Sequence, residues 1–267
     1  LIAISDILFV AYSQMDVALA GKYFSVAEIG LYGVATQLAV MLMTKSIPLF
    51  NVVAFPAFAR MSHSTHDSSD YLLTTLRFAT ILVFPVCVGV AMVSEDLIGL
   101  VLGDTWTEIS PIFNILVVTV PIRIVAYIIT PALLAAGGAR IDMVNALITF
   151  CFVTAAVLLL MPRGLEGVAL AWSLTSLCLF LLTVVRGGRL LGISVRRLLA
   201  TLYPALPVTL LMCLVIYLAG ALLPGASGII ALYKIPLGFA VYVLAFWLFY
   251  RQRSLELIRV GRRLIGR

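Results

Sequence analysis

Charged residues are scarce in this sequence. Asp, Glu, Lys and Arg make up 11% of its 267 residues, against about a quarter in a water-soluble domain. Such a chain has no polar coat to turn toward water. Histidine occurs twice, at His63 and His66; three residues apart and without further ligands, they read as part of a solvated loop, and no metal site is expected. The four cysteines, Cys87, Cys151, Cys178 and Cys213, lie far apart inside apolar runs and form no CxxC pair. That excludes a zinc ribbon or a disulfide framework and leaves them as small hydrophobes. No cofactor is called for, and no linker is long or charged enough to hold a separate soluble domain.

What is present is apolar. Hydrophobic residues reach 63% and the mean hydropathy is +1.16. A bilayer core takes about 20 apolar residues as helix. Eight such segments can be read, near 1–22, 29–58, 72–94, 110–136, 142–161, 166–185, 199–220 and 229–250. Turn and charge signals separate them, at Ser62–Asp70, Glu95–Ser110, Gly137–Arg140, Pro162–Gly164, Gly187–Arg197 and Pro224–Gly228. The expected fold is an all-α integral membrane protein with eight transmembrane helices. The first residue, Leu1, lies inside an apolar helix with no basic leader before it, so the chain reads as the C-terminal part of something longer.

The net charge of +6 does not point to nucleic acid, because the arginines sit at helix ends and not in one patch. Their placement sets an orientation instead. With the end of the second segment inside, the inner side collects Arg60, Arg77, Arg140, Arg186, Arg189, Arg196, Arg197 and all the arginines after Tyr250. The outer side holds only Lys22, Arg163 and Lys234, together with the acidic loop of Glu95, Asp96, Asp104 and Glu108. The chain is therefore expected in a bacterial cytoplasmic membrane, multi-pass, with its C-terminus in the cytoplasm. The tail 251–267 mixes arginines with Leu255, Leu257, Ile258, Leu264 and Ile265; it reads either as an interfacial helix on anionic lipid or as a solvated stop-transfer tail.

Ionisable groups at membrane depth single out candidate functional residues. Each Asp, Lys or Arg at mid-bilayer costs about 2.5–3.5 kcal/mol on insertion scales and faces a cavity or a partner. Ser5, Asp6, Tyr12, Ser13 and Asp16 project within an arc of about 120° on one helix. This stripe lines either a water-filled cavity or a hydrogen-bonded helix seam. Arg123 lies near the middle of the fourth segment, on a face shared with Thr119, Tyr127 and Thr130 within about 80°. It either pairs with a carboxylate, Asp6 being one, or holds an anionic group as a bidentate donor. Lys45, three residues before Pro48, is a second candidate cation or a snorkelling lysine. Prolines recur inside the segments, at Pro48, Pro56, Pro85, Pro121, Pro131, Pro204, Pro207 and Pro236, and favour bent helices of the kind found around alternating cavities.

Five stretches, in order, carry a resemblance. They are Asp16-Val-Ala-Leu-Ala-Gly-Lys-Tyr-Phe with Glu28-Ile-Gly-Leu-Tyr-Gly-Val-Ala, Phe55-Pro-Ala-Phe-Ala-Arg60, Phe84-Pro85 with Glu95-Asp-Leu-Ile-Gly-Leu-Val-Leu-Gly-Asp-Thr-Trp106, Leu133-Leu-Ala-Ala-Gly-Gly-Ala-Arg140, and Gly164-Leu-Glu-Gly-Val-Ala-Leu-Ala-Trp172. Over about residues 10–190 the chain resembles the polysaccharide transporter branch of the multidrug/oligosaccharidyl-lipid/polysaccharide exporter superfamily, which includes O-antigen and exopolysaccharide repeat-unit flippases. The resemblance implies two bundles of six helices around a central cavity. On that template residues 1–186 form the second bundle, 187–250 an extra helix pair and 251–267 a basic cytoplasmic tail, with the N-terminal bundle lying outside this chain. It implies a polyprenyl-pyrophosphate-linked oligosaccharide as cargo, of the undecaprenyl type, in contact with membrane lipid, and a cationic cavity to receive it. Arg123 and Asp16 fall where relatives carry an arginine and an aspartate, and Asp6, Lys45, Thr119 and Tyr127 complete the expected substrate contacts. The alternatives are a drug or ion exporter of the same superfamily, in which Asp6 and Asp16 would dominate, or a membrane-embedded polysaccharide polymerase or ligase, for which the short outer loops leave little room. A catalytic residue is not expected.

Overall fold

The computed structural model describes residues 1–60, 65–222 and 227–250. The tail 251–267 and His63 lie outside the described residues, as do the side chains of Pro48, Pro56, Arg60 and His66. Among the described residues every element is helical: α1 (Ile2–Ser13), α2 (Met15–Ala20), α3 (Val26–Arg60), α4 (Thr65–Met92), α5 (Ser94–Leu102), α6 (Ser110–Ala135), α7 (Ala139–Leu160), α8 (Leu165–Leu182), α9 (Gly188–Leu190), α10 (Val195–Leu199), α11 (Ala205–Leu222) and α12 (Ser227–Phe249). Among the described residues five helical stretches, Val26–Lys45, Ser69–Met92, Asp104–Ala135, Ala139–Arg163 and Leu165–Leu190, are long and apolar enough to cross a membrane, and shorter apolar helices run over Ile2–Ser13, Ala205–Ala221 and Tyr233–Phe249. The chain is a multi-pass membrane protein, helical in every element of its described residues.

Its outer surface agrees. Leu159, Phe239, Phe249, Leu210 and Tyr217 stand largely exposed around the bundle. Helices that are apolar on all sides have lipid as their solvent.

Local chemistry explains several element boundaries. Ser25 and Glu28 form a capping box at the start of α3: the Ser25 backbone N–H and hydroxyl both donate to Glu28 Oε2, at 2.8 and 2.7 Å, and the Glu28 N–H donates back to Ser25 Oγ at 3.3 Å. Between α7 and α8 the chain turns through Gly164 at φ 78°, a left-handed conformation that a side chain disfavours. The stretch Glu95–Ser110, expected as a loop, folds as α5 and a 3₁₀ turn over Asp104–Ile109. Glu95 and Asp96 occupy the first turn of α5, where the helix dipole favours carboxylates. In the same way, the expected loop Ser62–Asp70 is helical from Thr65. The first segment, expected as one helix, is two, divided at Gln14, where the helical backbone is distorted to φ −115°, ψ 0°.

The most buried of the five long helices is α6. It packs against α8, α4 and α3, and α7 packs against α8 and α1. Tyr32, Val117, Val153, Val157 and Val168 are fully buried where these helices meet. A second core, of Leu72, Leu76, Ile129, Val184 and Leu198, joins α4 and α6 to the connector after α8. The hairpin of α11 and α12 packs on α4 and α5. Tyr242 on α12 donates its hydroxyl to the Ile81 carbonyl at 2.7 Å. That carbonyl lies four residues before Pro85, which lacks the N–H that would bond it within α4. In lipid an unbonded carbonyl costs several kcal/mol, so this bond both satisfies α4 and docks the hairpin.

Candidate functional site

Two cavities differ in chemistry. The larger, about 480 Å³, runs between α4 and the α11–α12 hairpin, and its walls are almost wholly apolar, with Phe78, Leu82, Ile216 and Phe239 among them. It has too few polar groups to orient a polar ligand. The smaller, about 270 Å³, opens among α1, α3, α6, α7 and α8. It carries convergent polar groups: Ser5, Asp6 and Tyr12 from α1, Arg123, Tyr127 and Thr130 from α6, Asp142 and Thr149 from α7, and Thr175 and Ser176 from α8.

Arg123 is the one arginine among the lining residues. Its guanidinium lies 4.8 Å from the centroid of the Trp172 ring on α8, and Tyr12 meets Trp172 edge-to-face with centroids 6.2 Å apart. Phe9 packs edge-to-face on Tyr12 at 5.2 Å. An arginine set on an indole face gains about 0.5–2 kcal/mol of cation–π attraction, and the face fixes its plane. Among the described residues no salt bridge involves Arg123, so its donors are not committed to a carboxylate. The electrostatic neighbours of the guanidinium are Tyr12, Asp16, Tyr32 and Tyr127, which places a negative group near it without a direct pair.

The expected site residues separate. Asp6, Arg123 and Tyr127 line the polar cavity; Asp16, Lys45 and Thr119 do not. Asp16 is 2% exposed and accepts a hydrogen bond from the Tyr32 hydroxyl at 2.6 Å. It sits in the first turn of α2, and its other oxygen, Oδ1, is buried with no hydrogen-bond partner among the described residues. The stripe splits: Ser5, Asp6 and Tyr12 line the cavity, while Asp16, beyond the break at Gln14, is bonded to Tyr32 on α3. Ser13 bonds back to the Val10 carbonyl at 2.9 Å. Thr119 donates to the Leu116 carbonyl at 2.8 Å. Lys45 is exposed. The pairing of Arg123 with Asp6, one of the alternatives read from the sequence, is absent among the described residues.

Sequence reasoning missed Asp142 and Trp172 as cavity residues. Trp172 ended one of the recurring stretches, Gly164 to Trp172, so a signal existed. Asp142 opens the fifth apolar segment, 142–161, two residues after Arg140, and no pattern in the sequence marked it. With it, the lining holds two carboxylates and one arginine, which departs from the cationic cavity that the resemblance implies.

The helix placement also bears on sidedness. Lys234 and Asp96 form an ion pair at 3.5 Å, and Arg197 and Asp70 another at 2.6 Å. Each joins two residues that the charge pattern assigns to one side.

Comparison with known proteins adds the following. Residues 2–111 match a family described as polysaccharide biosynthesis protein. The chain is 30% identical over 200 residues to the lipopolysaccharide biosynthesis protein WzxC of Escherichia coli (strain K12), an alignment of 73% of this chain and 40% of that protein. It is 28% identical over 127 residues to the teichuronic acid biosynthesis protein TuaB of Bacillus subtilis (strain 168), covering 48% of this chain and 26% of TuaB. Among solved structures, the lipid II flippase MurJ in an inward closed conformation superposes with a TM-score of 0.71 over 94% of this chain and 52% of that one, at 19% identity, which shows a shared fold. The chain spans about half, or less, of the length of these proteins. The resemblance drawn from the five sequence stretches is borne out.

Proposed function

We infer that this chain, a relative of the polysaccharide and lipid-linked flippases of the multidrug/oligosaccharidyl-lipid/polysaccharide exporter superfamily, forms one half of a transporter that moves polyprenyl-pyrophosphate-linked oligosaccharide across the cytoplasmic membrane. The observation that carries this reading is Arg123, held on Trp172 in a cavity between helices, with no salt bridge among the described residues. A diphosphate-linked sugar does not cross about 30 Å of hydrocarbon unaided. Arg123 supplies a planar bidentate donor for the diphosphate. Tyr12 and Tyr127 supply aromatic surface and hydroxyls, and Asp6, Asp142, Thr149 and Thr175 supply acceptors for sugar hydroxyls. Asp16 acts by positioning, through its bond to Tyr32.

On this reading residues 1–186 are a second six-helix bundle, facing an N-terminal bundle in the complete transporter, and 187–250 an additional pair of spans. All eight apolar segments cross the membrane, with the C-terminus in the cytoplasm. Rocking of the bundles opens the cavity to each side in turn. The experiment is transport by purified full-length protein in vesicles loaded with lipid-linked oligosaccharide. Arg123→Ala is expected to lower the rate at normal expression; a wild-type rate would remove Arg123 from the cargo path.

A second reading, a drug or ion exporter, draws support from the two carboxylates Asp6 and Asp142 in the cavity. In that case neutralising either carboxylate would damage transport more than removing Arg123.

A further inference from the structure

We propose that the connector between α8 and α11, residues 188–204, is a binding site for anionic phospholipid headgroups at the membrane surface. The proposal does not depend on the identity of the cargo.

The connector joins two apolar helices, so it lies where they leave the bilayer. From Glu166 to Glu256 the sequence contains no acidic residue between those two, while Arg186, Arg189, Arg196 and Arg197 gather at this turn. Arg197 is tied to Asp70 at 2.6 Å, and Arg186 donates to Asn145 at 3.0 Å. Arg189 and Arg196 are exposed, and neither takes part in an ion pair among the described residues. Beside them stand exposed apolar groups: Leu190, Val195, Leu199 and Tyr203, the last 67% exposed. Val195 and Leu199, four apart on α10, share one face. Arginines interleaved with exposed leucines and a tyrosine fit the headgroup boundary, where apolar groups enter the acyl region and guanidinium groups meet phosphate.

This surface is held rigid from behind. Ile193 and Leu198 are buried in the core with Leu72 and Leu76. Ser69 donates to the Leu191 carbonyl at 3.2 Å, and Thr80 to the Thr201 carbonyl at 3.0 Å. Ser194 caps α10 by accepting from the Arg197 N–H. The connector therefore presents its arginines without first having to order itself, which removes an entropic cost of binding. Charge complementarity selects the partner: beside the Arg197–Asp70 pair, two exposed guanidinium groups outside any ion pair among the described residues favour an anionic headgroup over a zwitterionic one.

The test uses full-length protein with p-benzoylphenylalanine in place of Tyr203, reconstituted in phosphatidylcholine vesicles with a minor share of phosphatidylglycerol. Each lipid is radiolabelled in turn. Photo-crosslinking to phosphatidylglycerol is expected to exceed its share of the bilayer. In R189Q/R196Q the excess should fall, by roughly fivefold per arginine at about 1 kcal/mol each, while R163Q, on an exposed arginine elsewhere, should leave it unchanged. Crosslinking in proportion to bulk lipid, crosslinks to protein alone, or an excess that survives R189Q/R196Q would each overturn the proposal. The wild-type comparison of the two lipids stands even if the double variant fails to fold.

Discussion

Tyr32 on α3 donates its hydroxyl to Asp16 on α2 at 2.6 Å, with both side chains almost fully buried. A carboxylate that projection of a single helix places beside a cavity is thereby a joint between two helices. A buried carboxylate is stable only when bonded; Tyr32 meets that need at Oδ2, while Oδ1 is buried with no hydrogen-bond partner among the described residues. The break at Gln14 gives Asp16 its place at a helix start.

The Tyr32–Asp16 bond should be measurable as a coupling. Tyr32→Phe is expected to cost about 1–3 kcal/mol, the range for leaving a buried polar group without its partner. Thermal unfolding of full-length protein in detergent, across Tyr32→Phe, Asp16→Ala and the double variant, reads it. Strictly additive losses would mean that the bond contributes nothing.

Arg123 should depend on Trp172 for its geometry. Arg123→Lys keeps the charge and loses the planar stacking; Trp172→Leu keeps the arginine and loses its platform. Each is expected to lower transport about 2- to 30-fold, in line with a cation–π term of about 0.5–2 kcal/mol. Asp6→Asn and Asp142→Asn are expected to lose less than Arg123→Ala when cargo is anionic. Transport assays in vesicles, run side by side, decide the order, and the reverse order favours the cation-exporter reading.

Gly167 should not tolerate a side chain. A Cβ there would collide with the Leu160 carbonyl oxygen and lie 2.9 Å from Arg163 Cβ. Backbone cannot step aside as a flexible side chain can. Gly167→Ala is expected to cost at least about 1–3 kcal/mol, the usual range for overpacking. The α7–α8 turn also sets the position of α8, and so of Trp172. The variant should therefore lower the melting temperature and transport together. Transport unchanged at a lowered melting temperature would show that the turn does not set the cavity.

The two ion pairs should mark opposite faces of the membrane. In a chain otherwise free of cysteine, Thr105→Cys beside Asp104 is expected to react with an impermeant maleimide applied from outside, and Ala200→Cys near Arg197 only after the cytoplasmic face is opened. Labelling of both from one side would break the topology that the charge pattern supports.

Composition and the spacing of apolar runs were enough to read a multi-pass helical membrane protein, because lipid demands continuous helical hydrogen bonding and apolar surface over a known thickness. The short stretches from Asp16 to Trp172 were enough to place it among its relatives. Side-chain partners were not legible in this way. One helix at 100° per residue places Asp16 with Asp6, but the structure breaks that helix at Gln14, bonds Asp16 to Tyr32 and leaves only Asp6 lining the cavity. No local pattern announces it. Asp142 and Trp172 join Arg123 only because α7 and α8 fold back onto α6. Bilayer partitioning acts on each segment separately and can be summed along the chain. The cavity depends on which faces of distant segments meet, and packing alone decided that.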